Sequence, residues 1–170
     1  MRKSRIVGHI AAVFYPFCLV FGLYVVLHGH LTPGGGFQGG AVMATGAALM
    51  MVAGMFDEGQ REIKYHHYKA FEAFGLLLFI GLAFAGMLSG HGAFFRNIWA
   101  NAGGWFGESG YTGSLNSGGL LPLMNLAVGV EVFGGISIIL VYMIRAMKAA
   151  ERGEDRNDEA DAAPAPEDAE

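Results

Sequence analysis

Two long apolar runs open this chain, Ile6 to Leu27 and Phe37 to Phe56, and neither contains a Lys, Arg, Asp or Glu. At 1.5 Å per residue, about 20 helical residues cross the roughly 30 Å of a bilayer's hydrocarbon core. Two further runs follow. Residues 66–88 carry no charge except Lys69 and Glu72, and residues 121–144 none except Glu131. The pattern predicts an all-α integral membrane bundle of four transmembrane helices, at about 6–27, 37–56, 66–88 and 121–144. Pro122 suits the first turn of the last helix, where a missing N–H costs no hydrogen bond. Pro16 falls inside the first and should kink it, leaving a carbonyl near Ala12 in need of another partner.

The connections fix an expected orientation, because Lys and Arg gather on the cytoplasmic side. Three basic residues precede the first run, Arg61 and Lys64 lie between the second and third, and four follow the last. The first connection (28–36) has none and the third (89–120) has only Arg96. Both termini are therefore expected in the cytoplasm, with residues 1–145 forming the membrane domain. The positively charged start resembles a signal peptide's, but the apolar run is too long and His28-Gly29-His30 is no cleavage site, so the run reads as a retained span. The third connection holds Trp99, Trp105, Phe94, Phe95 and Tyr111 among glycines. Aromatic residues favour the membrane–water interface, which predicts an interfacial or shallow re-entrant segment.

Composition agrees: 53% of residues are apolar and 15% charged, too apolar for an ordinary soluble domain. The net charge of −4 belongs to the C-terminus, where residues 145–170 hold nine acidic and four basic groups. Residues 146–170 are expected to be an acidic, disordered cytoplasmic tail. That acidity, and the lack of a basic patch, argue against nucleic-acid binding. The lone Cys18 lies in the first run and excludes an intrachain disulfide. No internal repeat is evident.

Small residues recur at helical spacing. Gly36, Gly40, Ala44 and Ala48 fall four apart, and Gly75, Gly81, Gly86, Gly129, Gly134 and Gly135 mark the later spans. Smooth faces let membrane helices approach closely, within the chain or against foreign helices.

The intramembrane acids are the main candidate chemistry. A charged carboxylate at a helix centre costs about 2.5–3.5 kcal/mol on insertion scales, and such acids commonly line proton or ion routes. Glu131 has no basic residue at its depth. Glu72 follows Lys69 by three positions, which permits a shallow ion pair. The alternative for both is structural, a carboxyl satisfied by packing. Asn125 is nearly two turns from Glu131. His28 and His30, at the outer end of the first span, are candidates for proton exchange with water or plain structural residues. No set of Cys, Asp and His argues for a metal, and no nucleophile motif or cofactor signature argues for an enzyme. Gly34-x-Gly36-x-x-Gly39 matches the dinucleotide fingerprint by letter, yet a membrane helix rather than a strand precedes it.

The segment His28-Gly29-His30-Leu31-Thr32-Pro33-Gly34-Gly35-Gly36-Phe37-Gln38-Gly39-Gly40 reads physically as a tight turn. Pro33 stiffens its entry, its glycines permit positive φ, and Gly36 begins a helix with Phe37 at the interface. It strongly resembles the signature of the MrpB/MnhB family, membrane subunits of multisubunit Mrp-type Na+/H+ antiporters. Leu121-Pro122-Leu123-Met124-Asn125-Leu126-Ala127-Val128-Gly129-Val130 resembles that family's second landmark, and the likeness covers about residues 5–145. It implies a four-helix subunit of the cell membrane that works beside other membrane subunits exchanging cytoplasmic Na+ for H+. It also implies family roles for Pro33, Gly34, Gly35, Gly36, Phe37, Gly39, Gly40, Pro122, Asn125 and Gly129. Two alternatives stay open. One is the equivalent module of a membrane-bound hydrogenase or related respiratory complex; the other is a purely structural adaptor.

Overall fold

The computed structural model describes residues 5–54, 58–88, 94–97 and 118–161, with the backbone alone over 58–64 and 154–161. Four α-helices account for nearly all of them: α1 (Arg5–His28), α2 (Gly36–Val52), α3 (Glu58–Gly86) and α4 (Leu121–Asp161). No strand occurs among the described residues. Three stretches are long and apolar enough to cross a membrane: α1, Tyr65–Gly86 of α3 and Leu121–Gly153 of α4. The second expected span, 37–56, is instead a shorter apolar helix of 17 residues. Its length is about 25 Å. α1 continues through Pro16.

Two boundaries differ from expectation. α3 starts at Glu58, several residues before the apolar run, and α4 continues to Asp161. The stretch 146–161, expected as disordered tail, is therefore helical; residues 162–170 lie outside the described part. The physical reason is that Ala, Met, Lys, Arg and Glu dominate just past Arg145 and are strong helix formers. A span already wound upstream removes the nucleation cost that an isolated segment would carry.

The helices form an open row in the order α3, α4, α2, α1, with α1 also touching α4 lightly. Among the described residues, the backbone of α3 approaches that of α4 alone. The side chain of Tyr68 reaches further, sharing a small core with Ala47 and Met51 of α2 and Val141 of α4.

Glycine decides each crossing, because hydrocarbon offers no hydrophobic drive and packing rewards close approach. Gly22 of α1 and Gly39 of α2 face each other; a methyl group on Gly22 would lie 2.7 Å from the Gly39 carbonyl oxygen. Gly46 meets Cys18 lower down the same pair. Gly36 and Gly40 serve α4, where Gly36 abuts the Asn125 carbonyl and Gly40 the Gly129 carbonyl. α2 thus spends two small faces on two neighbours within its own chain. Gly81 is the contrast, with open space where its side chain would be. The outer surfaces stay apolar: Phe17, Val20 and Leu77 are each about 70% exposed.

Candidate functional site

α3 meets α4 along a seam that includes Tyr65, Tyr68, Glu72 and Gly75, a three-and-four spacing that keeps one stripe facing its partner. The closest approach is at the two acids. A methyl group on Gly75 would lie 2.6 Å from the Glu131 nitrogen and 2.7 Å from the Ala127 carbonyl oxygen. One on Gly134 would lie 2.6 Å from the Glu72 nitrogen and 2.7 Å from the Tyr68 carbonyl oxygen. Ala127 precedes Glu131 by one turn, as Tyr68 precedes Glu72. Exchanging the helices therefore maps one contact onto the other, which is a local two-fold relation normal to the row.

The sequence contains the reason. Glu72-Ala73-Phe74-Gly75 and Glu131-Val132-Phe133-Gly134 are the same Glu-x-Phe-Gly pattern, read in opposite directions across the membrane. The chain carries no long repeat, and this four-residue one is the signal that finds the site. Glu131 is level with Gly75, so the Glu72 and Glu131 backbones are offset by about 4.5 Å along the axes. The Oε1 of Glu72 lies 3.6 Å from where a methyl on Gly135 would be. Gly135 is one turn from Glu131 on the same face of α4. Both acids, each half-buried, thus serve one flank of the seam. Glu72 stands about 10 Å along α3 from Tyr65, and Glu131 about 15 Å along α4 from Leu121.

The same flank continues toward the end of the spans where α3 begins. The Tyr65 and Tyr142 hydroxyls are hydrogen-bonded at 3.0 Å, and the Arg145 guanidinium stands 5.4 Å from the centre of the Tyr65 ring. Lys69 lies near enough to Tyr142 to act on its phenol electrostatically. No ion pair joins Lys69 to Glu72, so the expected shallow bridge is absent among the described residues.

The opposite end of the spans is a separate assembly. Gly34 has φ +140°, a conformation that favours glycine, and it is the one motif glycine that needs this freedom. Gly29 is small for another reason: a methyl group on it would lie 2.6 Å from the Gly35 Cα and 2.9 Å from the Asn125 Nδ2. Thr32 N–H and Leu31 N–H donate to the His28 carbonyl at 3.0 and 2.8 Å, closing the end of α1. His28 Nδ1 donates to the Tyr24 carbonyl at 3.0 Å, with the Tyr24 ring 4.1 Å from its own. The His30 ring lies beneath Gly118, and both its nitrogens are buried with no hydrogen-bond partner among the described residues. Asn97 clamps the start of α4: its Nδ2 donates to the Gly118 carbonyl and its Oδ1 accepts from Leu120 N–H, each at 2.9 Å. Next to it, Phe95 N–H donates to the Ala83 carbonyl at 3.2 Å, the Phe94 ring meets Phe84 edge-to-face and the Phe95 ring meets Phe79 at a tilt. Phe94 and Phe95 of the third connection therefore lie back against α3; Trp99, Trp105 and Tyr111 lie outside the described residues.

The structure brings Lys69, Glu72 and Glu131 to one flank, and sets Asn125 beside Gly29, Gly35 and Gly36 at the other end of the spans, where His30 lies against Gly118. It does not bring the two groups together. Phe37 is exposed, Gly39, Gly40 and Gly129 are buried at crossings, and Pro122 sits half-buried in the first turn of α4. Sequence reading missed Asn97, Tyr65 and Tyr142. Among the described residues no group of three His, Cys, Asp or Glu converges as for a metal.

Comparison with known proteins adds to this geometry. The family described as a domain related to the MnhB subunit of Na+/H+ antiporter matches residues 6–138, which include both glutamates and the whole glycine motif. An uncharacterised protein of Methanocaldococcus jannaschii is 33% identical over 119 residues, 70% of this chain and 44% of that protein. The B-type Na+/H+ antiporter subunit of Alkalihalophilus pseudofirmus is 38% identical over 72 residues, 42% of this chain and 49% of its own length. The chain thus spans less than half the length of the curated relatives it matches. With its glycine junction, its apolar helices and a family match over most of its length, the chain belongs to the MnhB-related family of Na+/H+ antiporter subunit domains.

Proposed function

We propose that this chain is a membrane subunit of a multisubunit cation/proton antiporter that exchanges cytoplasmic Na+ for H+. It crosses the cell membrane four times, α2 included, with both termini in the cytoplasm. Glu72 and Glu131 line part of an ion or proton route where this subunit meets another, and Lys69 and the Tyr65–Tyr142 pair lie at the cytoplasmic approach. The single observation that carries this reading is the placing of two intramembrane carboxylates on one flank of one helix crossing. Carboxylates at such depth are costly to keep for packing alone. The open row supports a place in a larger assembly, since its broad faces have no partner within the chain. The outer junction of Asn125, Gly29 and Gly35 serves assembly by fixing α1, α2 and α4 together.

Deletion of the subunit from cells that keep the other subunits tests this. Na+-dependent proton movement in everted membrane vesicles should vanish and return with the intact chain. Unchanged exchange after deletion would contradict the reading. Subunits that co-purify in mild detergent decide between an antiporter and a redox-linked complex.

A further inference from the structure

The two carboxylates at the α3/α4 crossing lack a counter-charge. No ion pair joins either of them to another group among the described residues, and Lys69 lies one turn from Glu72 toward the Tyr65–Tyr142 pair. Among the described residues no other helix of this chain lies against the acids' flank on the α3 side; about two to three turns further along, Phe95 meets it at Phe79 and Ala83. Around the two acids the surface is apolar and open: Leu76, one turn from Glu72, is 45% exposed, and Ile139, one turn from Gly135, 59%. Gly135 leaves a shallow place beside the Glu72 carboxyl. The two-fold relation sets both acids about one point, with their backbones offset by only about 4.5 Å.

We infer that this flank receives a membrane helix from a neighbouring subunit, and that the helix presents a Lys or Arg side chain to Glu72 and Glu131 together. Charge complementarity is the argument. Two unpaired carboxylates in hydrocarbon repel one another, and a single ammonium or guanidinium between them relieves both at once. Arg suits two acceptors best, because its planar fork offers five N–H donors. Hydrated surface groups cannot supply that charge at this depth. The inference rests on the reading of the chain as part of an assembly, but not on its carrying ions.

The test uses the whole complex in native membranes. A photo-reactive benzoylphenylalanine replaces Leu76, the two-fold counterpart of Gly135, and the cross-linked peptide is identified by mass spectrometry. Both glutamates remain, so folding is not at stake. The expected product is an apolar segment of another subunit with a Lys or Arg within one helical turn of the cross-link. Glu131→Lys should then lower recovery of the complex at least fivefold. Exchanging the partner's base for Glu in the same cells should bring recovery back to within twofold. A cross-linked segment without a base, cross-links to lipid alone, or no rescue by the reciprocal exchange would overturn the inference. The antiporter reading fails separately, by exchange that survives loss of the subunit.

Discussion

Gly75 of α3 lies against the backbone of Glu131 in α4, close enough that a single methyl group would meet the Glu131 nitrogen at 2.6 Å. Gly134 does the same for Glu72. Each acid therefore stands beside the glycine that lets the other helix approach. Losing either glycine should part the helices at the one place where both carboxylates sit.

Gly75→Val and Gly134→Val should each destabilise the fold by roughly 1–3 kcal/mol or more, the usual cost of overpacking against atoms that cannot yield. Gly81→Ala, in open space, should stay within about 0.5 kcal/mol. Thermal unfolding of the detergent-solubilised protein measures all three. The double glycine variant should fall short of the sum, because the sites are in contact.

Neighbouring glycines in the outer turn should behave differently. Gly34 has φ +140°, whereas Gly35 has φ −175°, extended backbone open to any residue. Gly34→Ala should cost on the order of 1–3 kcal/mol in backbone strain. Gly35→Ala places its methyl 3.6 Å from the Asn125 Oδ1, an ordinary contact, and should cost less than about 1 kcal/mol. The same unfolding measurement separates them.

Asn97 holds the third connection to the start of α4 through two hydrogen bonds. Asn97→Ala leaves Leu120 N–H without its acceptor and should cost about 1–3 kcal/mol. Hydrogen exchange at the Leu120 amide should speed up, while amides in the middle of α1 stay protected.

Lys69 makes no ion pair with Glu72. Lys69→Gln should therefore change stability by no more than about 0.5 kcal/mol in the same unfolding assay. A loss of several kcal/mol would mean that the bridge forms in the membrane.

Much of this is legible in the residues themselves. The uncharged runs place the helices, and Gly36 and Gly40 at four-residue spacing do line one face of α2. Periodicity names a face without naming its neighbour, so an open row and a closed bundle look alike in sequence. The glycine motif shows the same limit: Gly34 needs its torsion, while Gly29 yields room to Gly35 and to Asn125 from a distant helix. Glu-x-Phe-Gly stands twice in plain view. Its meaning appears only once the two spans run antiparallel and the repeat becomes a two-fold contact. Asn97 is a polar residue in a glycine- and aromatic-rich connection, with no local cue to its partners. The helical run past Arg145 is hidden by net acidity, which reports on solubility and says little about helix continuity.

Neutralising the acids where they stand tests the central claim most directly. Na+-dependent proton exchange should be measured in everted vesicles that carry Glu72→Gln, Glu131→Gln or both, scored only for complexes that remain assembled. The account predicts at least a tenfold loss of exchange per assembled complex in the double variant, with each single variant intermediate or as low. Full exchange in an assembled double variant would contradict it, leaving the two carboxyl groups as packing alone.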